Sequence, residues 1–305
     1  DLTFDADQTF ASTSLILTNN KNLRFEAQIG VNHRNRLTEG IVFIEDSLSV
    51  LQPEDYNVDK NPTTFLPRIG FSYMPTESVS LFGQFSTGFS DPTAFELVDN
   101  ETLLPAELDS ENAVGQEIGV RIYLDNNFKL KATAYNQKVN NAIMHITQDN
   151  DAIAFENVDG GLLMKGVECE ASWNNDLLSF RGFATFTNHT FGQETDYPNH
   201  TIPGFPSFTG GLQSALSLEY VKFHGDIRHV GATELLNSNE VLTDPYTILD
   251  ISTERTVMGN YVLEIGCRNV LNSAYSNWPQ INGGWGKLYN PAPPRTIFTS
   301  VRRSI

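Results

Sequence analysis

The sequence is short of cysteine, of positive charge and of long apolar runs, and each shortage removes a class of protein. Two cysteines, Cys169 and Cys267, do not make a disulfide framework, and no CxxC, HExxH or comparable metal spacing exists. Both cysteines fall on the apolar faces of predicted strands, where small apolar side chains are expected. Lys and Arg number 20 against 37 Asp and Glu, for a formal charge of −17. That balance excludes nucleic acid as a natural partner. The charge is spread along the chain without a long acidic run, as in solvated loops and a polar wall. No window holds 18 consecutive apolar residues, which excludes a transmembrane helix but leaves transmembrane strands open. GxSxG and P-loop patterns are missing, and no two of the six histidines stand at i, i+2 or i+4, so no enzymatic or metal chemistry is expected. Met144-His145 offers soft ligands, but an ordinary loop tip is the simpler account. The opening Asp1-Leu2-Thr3 is not a signal peptide, which points to a mature chain, a trimmed one or a piece of something longer.

What the sequence does have is aromatic residues, 20 Phe and 10 Tyr, and a two-residue rhythm. Between Gly166 and Thr187, Val167, Cys169, Ala171 and Trp173 alternate with Glu168, Glu170 and Ser172. Asn174-Asn175-Asp176 supplies a turn, and Leu178, Phe180, Gly182, Ala184 and Phe186 then alternate with Ser179, Arg181, Thr185 and Thr187. Period-two alternation predicts a hairpin with one apolar and one polar face. The same design recurs, for 13 strands in all. The others are expected at 8–19, 23–36, 65–74, 78–89, 113–124, 128–139, 207–219, 222–231, 246–257, 261–270 and 294–303. A short helix is expected near Thr93–Val98.

Short turns and long connections alternate strictly. The long ones are expected at 38–64, 90–112, 140–158, 190–204, 232–245 and 271–293. In an antiparallel meander this puts every short turn at one end and every long connection at the other. A sandwich has no reason to sort its loops so, and no propeller repeat is present. An outer-membrane barrel has short periplasmic turns and long external loops. The predicted fold class is therefore all-β, a transmembrane antiparallel up-and-down barrel. Strands 1 and 13 run the same way and cannot pair antiparallel, so a closed barrel needs further strands. A passive porin-type barrel and a secreted all-β binding module are the rival readings. The second requires 13 apolar strand faces to stand in water.

Seven segments carry a family resemblance. Pro67-Arg68-Ile69-Gly70-Phe71-Ser72-Tyr73 with Pro75-Thr76, and Ser86-Thr87-Gly88-Phe89-Ser90-Asp91-Pro92-Thr93 with Phe95-Glu96-Leu97, come first. Leu104-Pro105-Ala106-Glu107 with Gln116-Glu117-Ile118-Gly119, Asn157 with Lys165-Gly166-Val167-Glu168, and Ile202-Pro203-Gly204-Phe205-Pro206 follow. Asn269-Val270-Leu271-Asn272-Ser273-Ala274-Tyr275 and Asn290-Pro291-Ala292-Pro293-Pro294-Arg295 complete the set. In this order they resemble the C-terminal part of the barrel of TonB-dependent outer-membrane receptors, over roughly residues 8–305. The resemblance implies a barrel of about 22 strands around an N-terminal plug. Residues 1–305 are then the C-terminal portion of that barrel, with the plug and the N-terminal strands outside this chain. It implies no enzyme and no cofactor, and active uptake of a scarce ligand, foremost a ferric siderophore or other metal complex. The partners it implies are the rest of the receptor, in the same or a separate chain, TonB-ExbB-ExbD acting through the plug, membrane lipid, lipopolysaccharide and a small-molecule ligand. The location it implies is the bacterial outer membrane. Ile305 departs from the aromatic residue that usually ends the last strand.

Ligand contacts are expected in the long connections. Tyr275, Trp278, Trp285, Lys287 and Tyr289 surround Asn282-Gly283-Gly284 in the 271–293 connection, and Tyr197 and His200 stand in the 190–204 connection. Packing of the loop or of a membrane-interface girdle competes for the same aromatics. Glu168, Glu170, Arg181, Glu264 and Arg268 are expected on the lumen wall, where a salt-bridged support for the plug is the simplest role.

Overall fold

The computed structural model describes residues 2–19, 22–45, 51–97, 106–124, 127–147, 153–257, 259–282 and 286–303. Of residues 2, 4, 40, 42–45, 51–54, 56, 57, 145–147, 153, 154, 278–282 and 286–289 it describes the backbone alone. The first strands are β1 (Leu2–Asn19), β2 (Leu23–Glu45), β3 (Leu51–Lys60), β4 (Thr63–Thr76), β5 (Val79–Ser90), β6 (Glu111–Tyr123), β7 (Phe128–Asn140), β8 (Ala142–Thr147) and β9 (Ile153–Val158). After them come β10 (Leu162–Asn174), β11 (Leu178–Phe191), β12 (Phe208–Ser217), β13 (Lys222–Val230), β14 (Tyr246–Val257), β15 (Tyr261–Arg268), β16 (Ser276–Asn282), β17 (Gly286–Pro291) and β18 (Thr296–Arg303).

One sheet runs in the order β1-β2-β4-β5-β6-β7-β10-β11-β12-β13-β14-β15-β18, with β3 added to β2. Its 13 in-line strands are the 13 read from alternation. Five further strands were not expected: β3, the β8–β9 hairpin and the β16–β17 hairpin. All five lie inside connections read as loops, so the sorting of short turns from long connections survives them. The expected helix near Thr93–Val98 is a single turn instead, with Leu97 N–H bonded to the Thr93 carbonyl at 3.1 Å. Glu96 accepts from the Thr93 N–H at 2.6 Å, a capping pair without a helix behind it. Val98 lies outside the described residues.

The register fixes the faces. From β11 to β14 the rows Arg181–Gln213–Asp226–Asp250 and Phe183–Gly211–Arg228–Ile248 share one face, and Gly182–Leu212–Ile227–Leu249 lies on the other. On β15 and β18 the pairs Leu263–Val301 and Cys267–Ile297 continue the apolar face. That face is uncovered: Phe180, Leu212, Phe223, Ile265 and Ile297 are all exposed. Both cysteines are free and half-buried, as small apolar side chains on this face should be.

Contacts divide the chain into two compact units. One holds Asp1–Ser72, Gly83–Gln116 and Gln137–Leu162; the other holds Tyr73–Phe82, Glu117–Asn136 and Leu163–Ile305. In the second, aromatic rings lie flat over cross-strand glycines. A Cβ on Gly166 would sit 2.4 Å from the Tyr135 hydroxyl, and one on Gly266 would sit 2.5 Å from the Phe298 ring. At the turn after β12, the Glu219 carboxylate accepts from Tyr220 and holds that phenol's pKa above its ordinary value.

Candidate functional site

In the second unit the polar face forms a recess of about 590 Å³. Arg181, Glu264 and Arg268, three of the five residues expected on the lumen wall, line it together with Asp226 and Asp250. Arg181 pairs with Glu170 across 3.1 Å, and both side chains are well exposed. Arg268 lies 4.9 Å over the Phe298 ring. Glu168 is exposed and stands two positions from Glu170 on the same face, outside the recess. Two like-charged pairs stand directly opposite, Asp226 with Asp250 and Glu254 with Glu264. Such pairs repel. Arg302 (2.5 Å) and Lys222 (3.7 Å) compensate Glu254, and Asp250 accepts the Asn269 backbone N–H at 2.7 Å.

Of the expected loop contacts, the structure describes the side chains of Tyr275, Tyr197 and His200. Tyr275 packs on Tyr246 with ring centroids 4.9 Å apart, at the foot of its connection. Tyr197 touches Phe191 and His200, each at 5.9 Å. His200 Nδ1 meets the Asn237 carbonyl at 2.9 Å. Trp278, Lys287 and Tyr289 fall on the β16–β17 hairpin, where Tyr289 faces Pro279 and Lys287 faces Ile281; their side chains lie outside the described residues, as does all of Trp285. His145, on β8, is likewise described by its backbone alone, opposite Phe155.

Sequence reasoning missed how the long connections are held. In the first unit the β5–β6 connection is pinned by cations. Arg34, buried, reaches the Asp91 carboxylate, donates to Thr64 Oγ1 at 2.8 Å and stacks 4.0 Å over Phe89. Arg36 and Lys60 both donate to the Leu108 carbonyl at 3.1 Å. In three places an asparagine amide pairs with the N–H and C=O of a single loop residue, as a strand neighbour would. Asn157 does this with Asp109 at 2.7 and 3.0 Å, Asn239 with Thr201 at 2.7 and 2.8 Å, and Asn269 with Ser273 at 2.9 Å twice. Among the described residues the five non-glycine positions with positive φ are all asparagines, Asn239 and Asn269 among them. A tolerance for left-handed backbone is the one signal the sequence offered for these two.

An antiparallel meander with an uncovered apolar face, a polar opposite face and sorted connections is the wall of a transmembrane β-barrel. Residues 3–270 match the family model described as TonB dependent receptor-like, beta-barrel, and the chain belongs to that family. Among solved structures it resembles the ferric yersiniabactin uptake receptor FyuA of Yersinia pestis, at 16% identity and a TM-score of 0.80 over 99% of this chain and 46% of that one. It also resembles the ferric-catecholate import receptor Fiu of E. coli K12 (17%, 0.75, 98% and 45%) and the copper transporter OprC (14%, 0.79, 99% and 48%). The chain thus spans slightly under half the length of these structures. No curated protein matches it.

Proposed function

We propose that residues 1–305 are the C-terminal portion of an outer-membrane receptor barrel that takes up a scarce ligand, a ferric siderophore or another metal complex, at the expense of TonB-ExbB-ExbD. The observation that carries this reading is the two-faced sheet with its long connections gathered at one end, in a chain of this family. The apolar face suits lipid, with lipopolysaccharide outside; the polar face suits a plug and the remaining strands supplied outside these residues. FyuA is a receptor for ferric yersiniabactin, Fiu for ferric catecholates, and OprC a copper transporter, which supports a metal complex as the ligand class. Tyr197, His200 and Tyr275 are the ligand-contact candidates whose side chains are described. The chain's own residues bind and orient; no bond-making step is assigned to them.

The test is uptake of ⁵⁵Fe presented as a ferric tris(catecholate) and as a ferric tris(hydroxamate), and of ⁶⁴Cu, by iron-starved cells with and without the gene and with and without TonB. The expected result is gene- and TonB-dependent uptake of at least one of them. Uptake of all three that ignores TonB, or a protein that fractionates as soluble without detergent, overturns the reading.

A further inference from the structure

Between β11 and β12, and again between β13 and β14, the chain leaves the sheet, and the two connections are joined by a backbone bond from Gly204 N–H to the Glu234 carbonyl at 3.0 Å and, further along, by the side chains of Asn239 and His200. Asn239 sits in the left-handed region at φ 57°. Its amide takes the Thr201 N–H at 2.7 Å and gives to the Thr201 carbonyl at 2.8 Å, with a further bond to the Leu236 carbonyl at 3.2 Å. The next residue back from Thr201 is His200. Its ring is flanked by Tyr197, and its Nδ1 lies 2.9 Å from the backbone carbonyl of Asn237, two residues from Asn239. A carbonyl only accepts, so Nδ1 carries the proton and Nε2 holds a bare lone pair in the neutral imidazole. Nε2 has no hydrogen-bond partner among the described residues, and His200 is half-buried rather than enclosed. The other histidines with ring hydrogen bonds, His33, His189 and His229, meet hydroxyls, which leave the tautomer open.

We infer that Asn239 is a positioning residue for His200: by clamping Thr201 against the second connection it aligns the Asn237 carbonyl with Nδ1 and presents Nε2 as a fixed acceptor to an arriving ligand. The presentation to a ligand rests on the receptor reading above; the alignment does not. The sites that such an acceptor fits are N–H and O–H donors, or an open position on a metal complex. Without the clamp the connections keep the Gly204–Glu234 backbone bond but lose the pair of bonds beside His200 that fixes it opposite Asn237, and the ring reverts to the tautomer that imidazole side chains favour in water, with the proton on Nε2.

The experiment reads the tautomer directly, without a ligand, so its outcome is separate from that of the uptake assay. The full-length protein, labelled with ¹⁵N-histidine and held in detergent at about pH 8, well above the ordinary histidine pKa, is compared with H200Q to identify the His200 signals. The expected result is a protonated Nδ1 and a bare Nε2 at His200. In N239A the proton is expected to move to Nε2, with the Thr201 amide exchanging roughly thirtyfold faster, about the worth of two net hydrogen bonds. The His229 signals should stay unchanged as a check on the fold. N239D keeps an acceptor for the Thr201 N–H but sets a carboxylate against two carbonyls, and is expected to match N239A. A protonated Nε2 in the wild type, a measurement that needs no variant to fold, overturns the inference. So does an unchanged His200 tautomer in N239A when the Thr201 amide has opened.

Discussion

The connection between β5 and β6 and the connections after β11, β13 and β15 solve one problem in two ways. Each long loop must be tied to the wall it leaves. The first adds charge to a single amide clamp, Asn157 on Asp109: buried Arg34 reaches Asp91, and Arg36 and Lys60 donate to the Leu108 carbonyl. Ser110 adds a hydrogen bond to the same Asp91 carboxylate at 2.5 Å. The others are held by neutral amides, Asn239 on Thr201 and Asn269 on Ser273. The difference lies in what each tie risks. A buried cation that loses its partner is left desolvated and unpaired, whereas an amide that loses its partner leaves a dipole. Charge therefore gives a tie that fails completely, and amides give ties that fail by degrees.

The largest effect should come from taking the counter-charge from Arg34. D91A leaves a guanidinium buried without its carboxylate and should cost about 3–5 kcal/mol. R34M leaves Asp91, whose side chain is about a third exposed, able to hydrate, and should cost clearly less. Urea unfolding of the purified protein in micelles checks the order; equal losses for the two variants would deny the asymmetry. The amide ties come next. N269A strips the clamp from a buried side chain at φ 49° and should cost about 2–3 kcal/mol. N269G loses the clamp but accepts the left-handed backbone, and should recover about 1 kcal/mol of that. If the glycine variant is no better than the alanine one, the backbone contributes nothing and the clamp is everything. The smallest effect belongs to a tie whose cation stands in solvent. Arg302 is well exposed, its partner Glu254 keeps Lys222 as a second cation, and R302Q should cost under about 1 kcal/mol. High salt should erase the cost of R302Q while leaving that of N269A in place, because screening acts on exposed charge and not on amides.

The wall was legible and the ties were not. Period two declares itself wherever one face must meet lipid and the other water, so all 13 in-line strands were readable from residues such as Val167, Cys169, Ala171 and Trp173. The β8–β9 and β16–β17 hairpins carry no such demand, and strands of six or seven residues without sustained alternation read as loops. Arg181, Glu264 and Arg268 were found because alternation assigns a face to every residue. Asp226 and Asp250 were on that face as well and drew no notice, since their confrontation depends on a register across two strands. Asn239 was invisible for a related reason: its partner Thr201 is 38 residues away, and only the fold makes them neighbours. Asn157 and Asn269 did figure in the segments that carried the family resemblance, although their role as clamps was not readable from them.

The alternation of turns and connections also sets what the chain can exchange without loss. Strands joined by short turns are separated by two to four residues, while their other in-line neighbours are joined through connections several times longer. Closing a loop of about 20 residues rather than three costs only about 1.7 kcal/mol more, because closure entropy grows with the logarithm of length. Residues added or removed on the long side therefore barely tax the wall, provided the ties at the stem are kept. A sheet built this way can trade one set of long connections for another while its strands stay as they are.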